Sequence, residues 1–193
     1  MTVKVLILYY SKHGSVTKLA EKIAIGVQQA GAEAMLRSVQ PLDPAEQPEH
    51  PVISEQELIG CDALIVGSPV RFGVMAAPLK AFWDQTSQAW IRGSLIDKPA
   101  GVFTSSGSMH GGNESTLLGM MLPLLHHGMV LCGLPYSEPA LNQTNQGGTP
   151  YGPSHVSGMT GDKAFSRDEQ ALCLAFGQRI ARITQQLQTG ASS

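Results

Sequence analysis

Cysteine, net charge and long apolar runs are all scarce in this sequence. Its three cysteines, Cys61, Cys132 and Cys173, are odd in number and far apart, and none forms C-x-x-C. That spacing argues against a disulfide framework and leaves reduced thiols, as in a cytoplasmic chain. Thirteen basic and fifteen acidic residues give a net charge of −2 with no basic block. Neither nucleic acid nor an anionic membrane surface has an electrostatic footprint here. No run reaches the roughly 18 apolar residues that a membrane span needs. Met1 leads straight into strand pattern, without the charged and apolar regions of a signal peptide. The motifs G-x-x-x-x-G-K-[ST], G-x-G-x-x-G and G-x-S-x-G are also missing. Their absence disfavours P-loop nucleotide hydrolysis, a dinucleotide in a Rossmann turn and an α/β-hydrolase serine. His110, His126, His127 and His155 show neither H-x-x-x-H nor carboxylate spacing, so no metal site is expected.

What is present suits one globular domain over residues 1–193, with 42% hydrophobic residues, 21 Gly and 12 Pro. A chain of this length buries roughly 70% of its unfolded surface. The most informative stretch is Lys4 to Thr17, KVLILYYSKHGSVT. An apolar run stops at a hydroxyl-rich turn, and Val16, Leu19, Ala20, Ile23 and Val27 then follow at helical spacing up to Gly31. This reads as a buried parallel strand feeding a helix N-terminus. Unpaired N–H groups of a first helical turn, with the helix dipole behind them, form an anion site. The hydroxyls of Ser11, Ser15 and Thr17 could donate to phosphate there. An ordinary strand–turn–helix with Ser15 as cap is the plainer alternative.

Further strands are expected over Ala32–Val39, Cys61–Gly67, Gly101–Thr104 and Met129–Leu131. Gln40 to Pro51 is Pro-rich and acidic and reads as an exposed linker. Capping boxes at Ser54–Glu57 and Ser166–Glu169 open helices. Pro78 suits a first helical turn. A helix opened by Gly112 or Asn113 should break or kink at Pro123, and His126-His127-Gly128 reads as a cationic helix end. Gly133 to Gly161 is a long loop insertion of the kind that is functional or serves assembly. Alternating elements imply an α/β, doubly wound, five-stranded parallel sheet of flavodoxin-like order 2-1-3-4-5, with helices on both faces. Small-residue turns after strands one, three and four converge at its carboxyl end.

A phosphate in the first turn needs an organic body near the other two. Pro69 to Gly73 can offer backbone donors, an aromatic and a guanidinium to a flat heterocycle, and Ser105 to Gly112 can approach it closely. Flavin mononucleotide (FMN) matches that set. Core packing for Phe72 and a surface salt bridge for Arg71 are the plain alternatives.

The chain resembles the WrbA-type NAD(P)H:quinone oxidoreductases, a flavodoxin-like FMN family. The resemblance rests on LYYS at Leu8–Ser11, GSPVRFG at Gly67–Gly73, DQT at Asp84–Thr86 with Trp90, HHGM at His126–Met129 and GGTPYG at Gly147–Gly152. It implies two-electron reduction of a quinone by NADH or NADPH through FMN. Ser11, Lys12, His13, Gly14, Ser15 and Val16 would hold the phosphate, and Val70, Arg71 and Phe72 the ring. Ser105, Ser106, Gly107, Ser108, Met109, His110 and Gly111 would follow its other edge, with His126 on the ring side. His126 would then donate a proton to the quinone or shape the pocket, while the flavin carries the chemistry. His13, where the family usually has Tyr, would meet the nicotinamide nucleotide, and Trp90 would line the quinone pocket. The resemblance also implies a cytoplasmic homotetramer. A flavodoxin-type electron carrier and an azo- or nitro-reducing flavoenzyme are the alternatives.

Overall fold

The computed structural model of the protein describes residues 2–190. At its centre is β1 (Lys4–Tyr9), buried from Val5 onward, as an apolar run covered on both faces must be. β1 pairs in parallel with β2 (Glu33–Ser38) and β3 (Ala63–Arg71). β4 (Val74–Met75) folds back antiparallel on the end of β3, which also pairs in parallel with β5 (Pro99–Ser106). β5 pairs in parallel with β6 (Val130–Leu131) and, at its carboxyl end, with β7 (Ser154–Val156).

Among the described residues the sheet thus has seven strands, five along the path β2-β1-β3-β5-β6 and β4 and β7 off it. The five expected strands are β1, β2, β3, β5 and β6, and with β4 and β7 set aside they keep the expected order 2-1-3-4-5; the correction is to the count, seven strands rather than five. β4 and β7 are two and three residues long, too short to leave a periodic signature. β4 is the return arm of a tight hairpin. β7 lies inside the 133–161 stretch, which also carries a short helix and so is not without regular structure.

Among the described residues seven helices flank the sheet: α1 (Ser15–Gln29), α2 (Glu55–Gly60), α3 (Ala77–Asp84), α4 (Ser87–Ile91), α5 (Asn113–His126), α6 (Pro139–Gln143) and α7 (Arg167–Gly190). The five-residue α4 and α6 fall below the length at which helical periodicity shows. Val5, Ile7 and Tyr9 pack with α1 and α7 on one face, while Leu6 and Leu8 pack with α3 and α5 on the other. That alternation is the period-two geometry of a strand read from both sides. The expected break at Pro123 does not occur, and α5 runs on to His126. Met120 and Leu124 are fully buried beside it, and their packing outweighs the ~3 kcal/mol that an internal proline costs. The linker 40–51 is tied across the end of β1: Tyr10 Oη donates to Glu46 Oε2 at 3.0 Å, and Tyr9 Oη meets His50 Nδ1 at 2.5 Å.

Candidate functional site

The carboxyl ends of β1, β3 and β5 open into a cavity of about 710 Å³. Its first wall is the turn between β1 and α1. Gly14, at φ 84, occupies the N-cap position with no side-chain cap. Ser15 is therefore not the cap. Ser11 takes that role from three residues upstream, its Oγ accepting from Gly14 N at 3.2 Å and Thr17 N at 3.3 Å. The Ser11 hydroxyl hydrogen is left free to donate. Among the described residues the N–H groups of Ser15 and Val16 have no protein acceptor, and both residues line the cavity. Thr17 does not join them: it is buried and lines a separate small pocket with Tyr9 and Ser38.

The second wall is the β3–β4 hairpin. Phe72 (φ 52) and Gly73 (φ 79) form its two-residue turn, with positive φ at both positions as the right-handed strand twist requires. Phe72 is fully exposed, not packed in the core. Arg71 Nη1 donates to Val70 O at 2.9 Å, and among the described residues it forms no salt bridge. A left-handed, solvent-facing aromatic costs roughly 1–2 kcal/mol; such strain collects where a ligand is held. Gly112 (φ 100) lets this hairpin approach the third turn, since a Cβ there would meet Gly73 Cα at 3.0 Å.

The third wall is Ser105, Ser106, Gly107, Ser108 and Gly111, and a fourth is Ser157 to Gly161 beyond β7. Of the expected cofactor residues, Ser11, Lys12, His13, Ser15, Val16, Val70, Arg71, Phe72, Ser105, Ser106, Gly107, Ser108 and Gly111 line this one cavity. Gly14, Met109 and His110 lie outside its lining. Pro69, expected in the second turn, lines it too, and the 157–161 wall is an addition; the signal for the latter was the long loop that ends there. Lys12 and Arg71 line the cavity and no carboxylate does, in a chain whose net charge is −2. Donors, cations and an exposed aromatic so arranged can hold a dianionic phosphate that carries a flat ring.

His126 and Trp90 lie elsewhere in the chain, lining a second cavity of about 590 Å³ with Trp83, Leu122, Pro123 and His127. Trp90 Nε1 donates to His126 O at 2.8 Å. His127 is not the cation expected at a helix end. It is buried, and burial, then the neighbouring His126, lowers its pKa. Thr86 Oγ1 donates to Trp83 O at 2.8 Å and so accepts at 3.0 Å from His127 Nε2, which places a hydrogen on Nε2. Among the described residues no group of His, Cys, Asp or Glu gathers as metal ligands, and no helix is long and apolar enough to cross a membrane.

A sequence model of the family described as NADPH-dependent FMN reductase matches residues 3–136. A Rhizobium rhizogenes protein named NAD(P)H dehydrogenase (quinone) is 40% identical over 195 residues, covering 95% of this chain and 98% of the relative. Relatives of the same name in Chromohalobacter salexigens and Syntrophobacter fumaroxidans are 41% and 42% identical at the same coverage. Among solved structures, the flavodoxin, WrbA-like protein of Agrobacterium tumefaciens superposes with a TM-score of 0.70 at 24% identity. It covers 96% of this chain and 99% of its own, and shares the flavodoxin-like fold.

Proposed function

The chain belongs to the NADPH-dependent FMN reductase family, and we propose from that membership that it is an FMN-dependent NAD(P)H:quinone oxidoreductase. The relatives that match over nearly its whole length carry that activity in their names. The observation that supports the reading in this chain is the 710 Å³ cavity, with Lys12 and Arg71 in its lining and no acid. FMN, when bound, supplies the redox chemistry, taking hydride from NAD(P)H and delivering two electrons to a quinone.

The protein's part is to bind, orient and exclude water. Ser15 and Val16 N–H, the free Ser11 hydroxyl and Lys12 would hold the phosphate, and Gly14 sets the turn that presents them. Val70, Arg71 and Phe72 would border the ring, and Ser105 to Gly111 its other edge, with Met109 and His110 at the rim. His13, exposed at the mouth, would meet the nicotinamide nucleotide. The quinone would enter where the Trp90 and His126 cavity of one copy faces the flavin cavity of another, so that His126 completes the ring side in a homotetramer. Leu118, Leu122 and Leu125 on α5, with Trp90 and Ile91, are exposed apolar side chains beside that cavity, and such a face suits burial between copies. The three buried free thiols suit a reducing, cytoplasmic setting, and residues 1–193 act as one domain.

Steady-state turnover by the FMN-loaded protein alone tests the reading. NADH or NADPH should be consumed with a quinone, one for one, and hydroquinone should form. A protein whose flavin is reduced only through a second protein would be a flavodoxin-type carrier instead.

A further inference from the structure

The fourth wall of the cavity hangs on little sheet structure. β7, which leads into it, is three residues long and among the described residues pairs only with β5, through Thr104↔Ser154, Ser105↔His155 and Ser106↔Val156. A three-residue edge strand is marginal without another anchor. That anchor is Glu169, in the first turn of α7, whose side chain is 0% exposed. Its Oε1 accepts from Gly147 N, His155 Nδ1 and Val156 N, each at 3.0 Å, and its Oε2 accepts from Ser166 N at 2.7 Å. The His155 ring is stacked on Phe165, 4.0 Å between centroids and 17° between planes. One carboxylate therefore ties together the start of the 147–156 segment, one side chain and one backbone N–H of β7, and the capping box of α7. The next residue along, Ser157, lines the cavity and donates from N and Oγ to Ser106 O at 2.8 and 3.0 Å. The turn that follows closes through Gly161 N to Gly158 O at 3.1 Å.

We propose that Glu169, held by His155, is a positioning residue for the flavin cavity, fixing the wall Ser157–Gly161 from the far side of β7. This rests on the flavin reading above. Glu169 touches no ligand. Removing its carboxylate leaves three buried donors without an acceptor and frees β7 and the wall. FMN must then order that wall as it binds, which lowers its apparent affinity.

The test is FMN titration of apoprotein variants by flavin fluorescence, with hydrogen exchange on the same samples. Glu169→Ala should bind FMN at least tenfold more weakly. Exchange should quicken over residues 147–161 while Ser11–Val16 stays as in the unsubstituted protein. Glu169→Gln keeps a carbonyl oxygen for Gly147 N, His155 Nδ1 and Val156 N and loses only the acceptor for Ser166 N, so it should restore binding to within about threefold. His155→Phe preserves the stack on Phe165 but removes the Nδ1 donor, and should fall between the two. Ile180→Ala, in the α1–α7 core, is the control: it should lower the melting temperature and leave FMN affinity unchanged. Folded Glu169→Ala protein with unaltered FMN affinity would overturn the positioning role alone, as would Ile180→Ala losing affinity in parallel. An unsubstituted protein that binds no FMN would overturn the flavin reading and this role together.

Discussion

Phe72 stands where the fold alone would not put it. It holds φ 52 at the first position of a two-residue hairpin turn, followed by Gly73 at φ 79, and its ring is fully exposed. Asn-Gly is the favoured pair for that turn, because Asn tolerates the left-handed region. Phe72→Asn should therefore remove roughly 1–2 kcal/mol of strain and sacrifice no buried apolar surface. A net gain of about 1 kcal/mol corresponds to a melting temperature ~2–4 °C higher for a chain of this size. The same change removes the aromatic proposed to border the flavin. Loss of one ring-on-ring contact, about 1–2 kcal/mol, should weaken FMN binding roughly 5–30-fold. The assays are thermal unfolding of the apoprotein by circular dichroism and FMN titration by fluorescence. An apoprotein no more stable than the parent would refute the strain, and undiminished FMN affinity would refute the functional reason for tolerating it.

Ser11→Ala should weaken FMN by about 10–100-fold, the worth of a hydrogen bond to a charged phosphate; equal dissociation constants in the same titration would remove Ser11 from the phosphate site. Trp90→Ala should lower kcat/KM for the quinone and leave FMN affinity unchanged, since Trp90 lines the other cavity; loss of FMN affinity would move it to the flavin site. Acid should unfold the protein partly through Glu169. Burial raises its pKa, but the donors His155, Ser166 and Val156 outweigh that and hold it at about 2. A carboxylate depressed on folding contributes fully above the unfolded carboxylate range, near 4.3, and loses its contribution as pH falls toward the folded value. Urea unfolding should therefore show stability falling by a few kcal/mol more between about pH 5 and pH 2 in the parent than in Glu169→Gln; parallel curves would refute this.

Several features were legible in the chain because the local signal and the tertiary role agree. The run Val5 to Tyr9 is apolar throughout and becomes the doubly covered central strand. Ser54 and Glu57 form the capping box that their spacing announces. The features that were not legible depend on distant partners or on turn geometry. β7 is Ser-His-Val, with no strand signature, and its partners β5 and Glu169 lie far away in the sequence. Phe72 carries an aromatic where turn chemistry calls for Asn or Gly, so core packing was the plain alternative. His126-His127-Gly128 reads as a charged helix end, yet burial of His127 beside Thr86 and Trp83 lowers its pKa. Thr17, the residue after Val16, faces Tyr9 because α1 rolls that side onto the sheet.

The most direct measurement is a visible titration of the apoprotein with FMN, followed by anaerobic addition of NADPH or NADH and then a benzoquinone. Stoichiometric FMN uptake is expected, with bleaching of the flavin band by the nicotinamide nucleotide and its full return on quinone addition. A colourless protein that takes up no FMN, or bound FMN that stays oxidised with both nucleotides, would contradict the assignment.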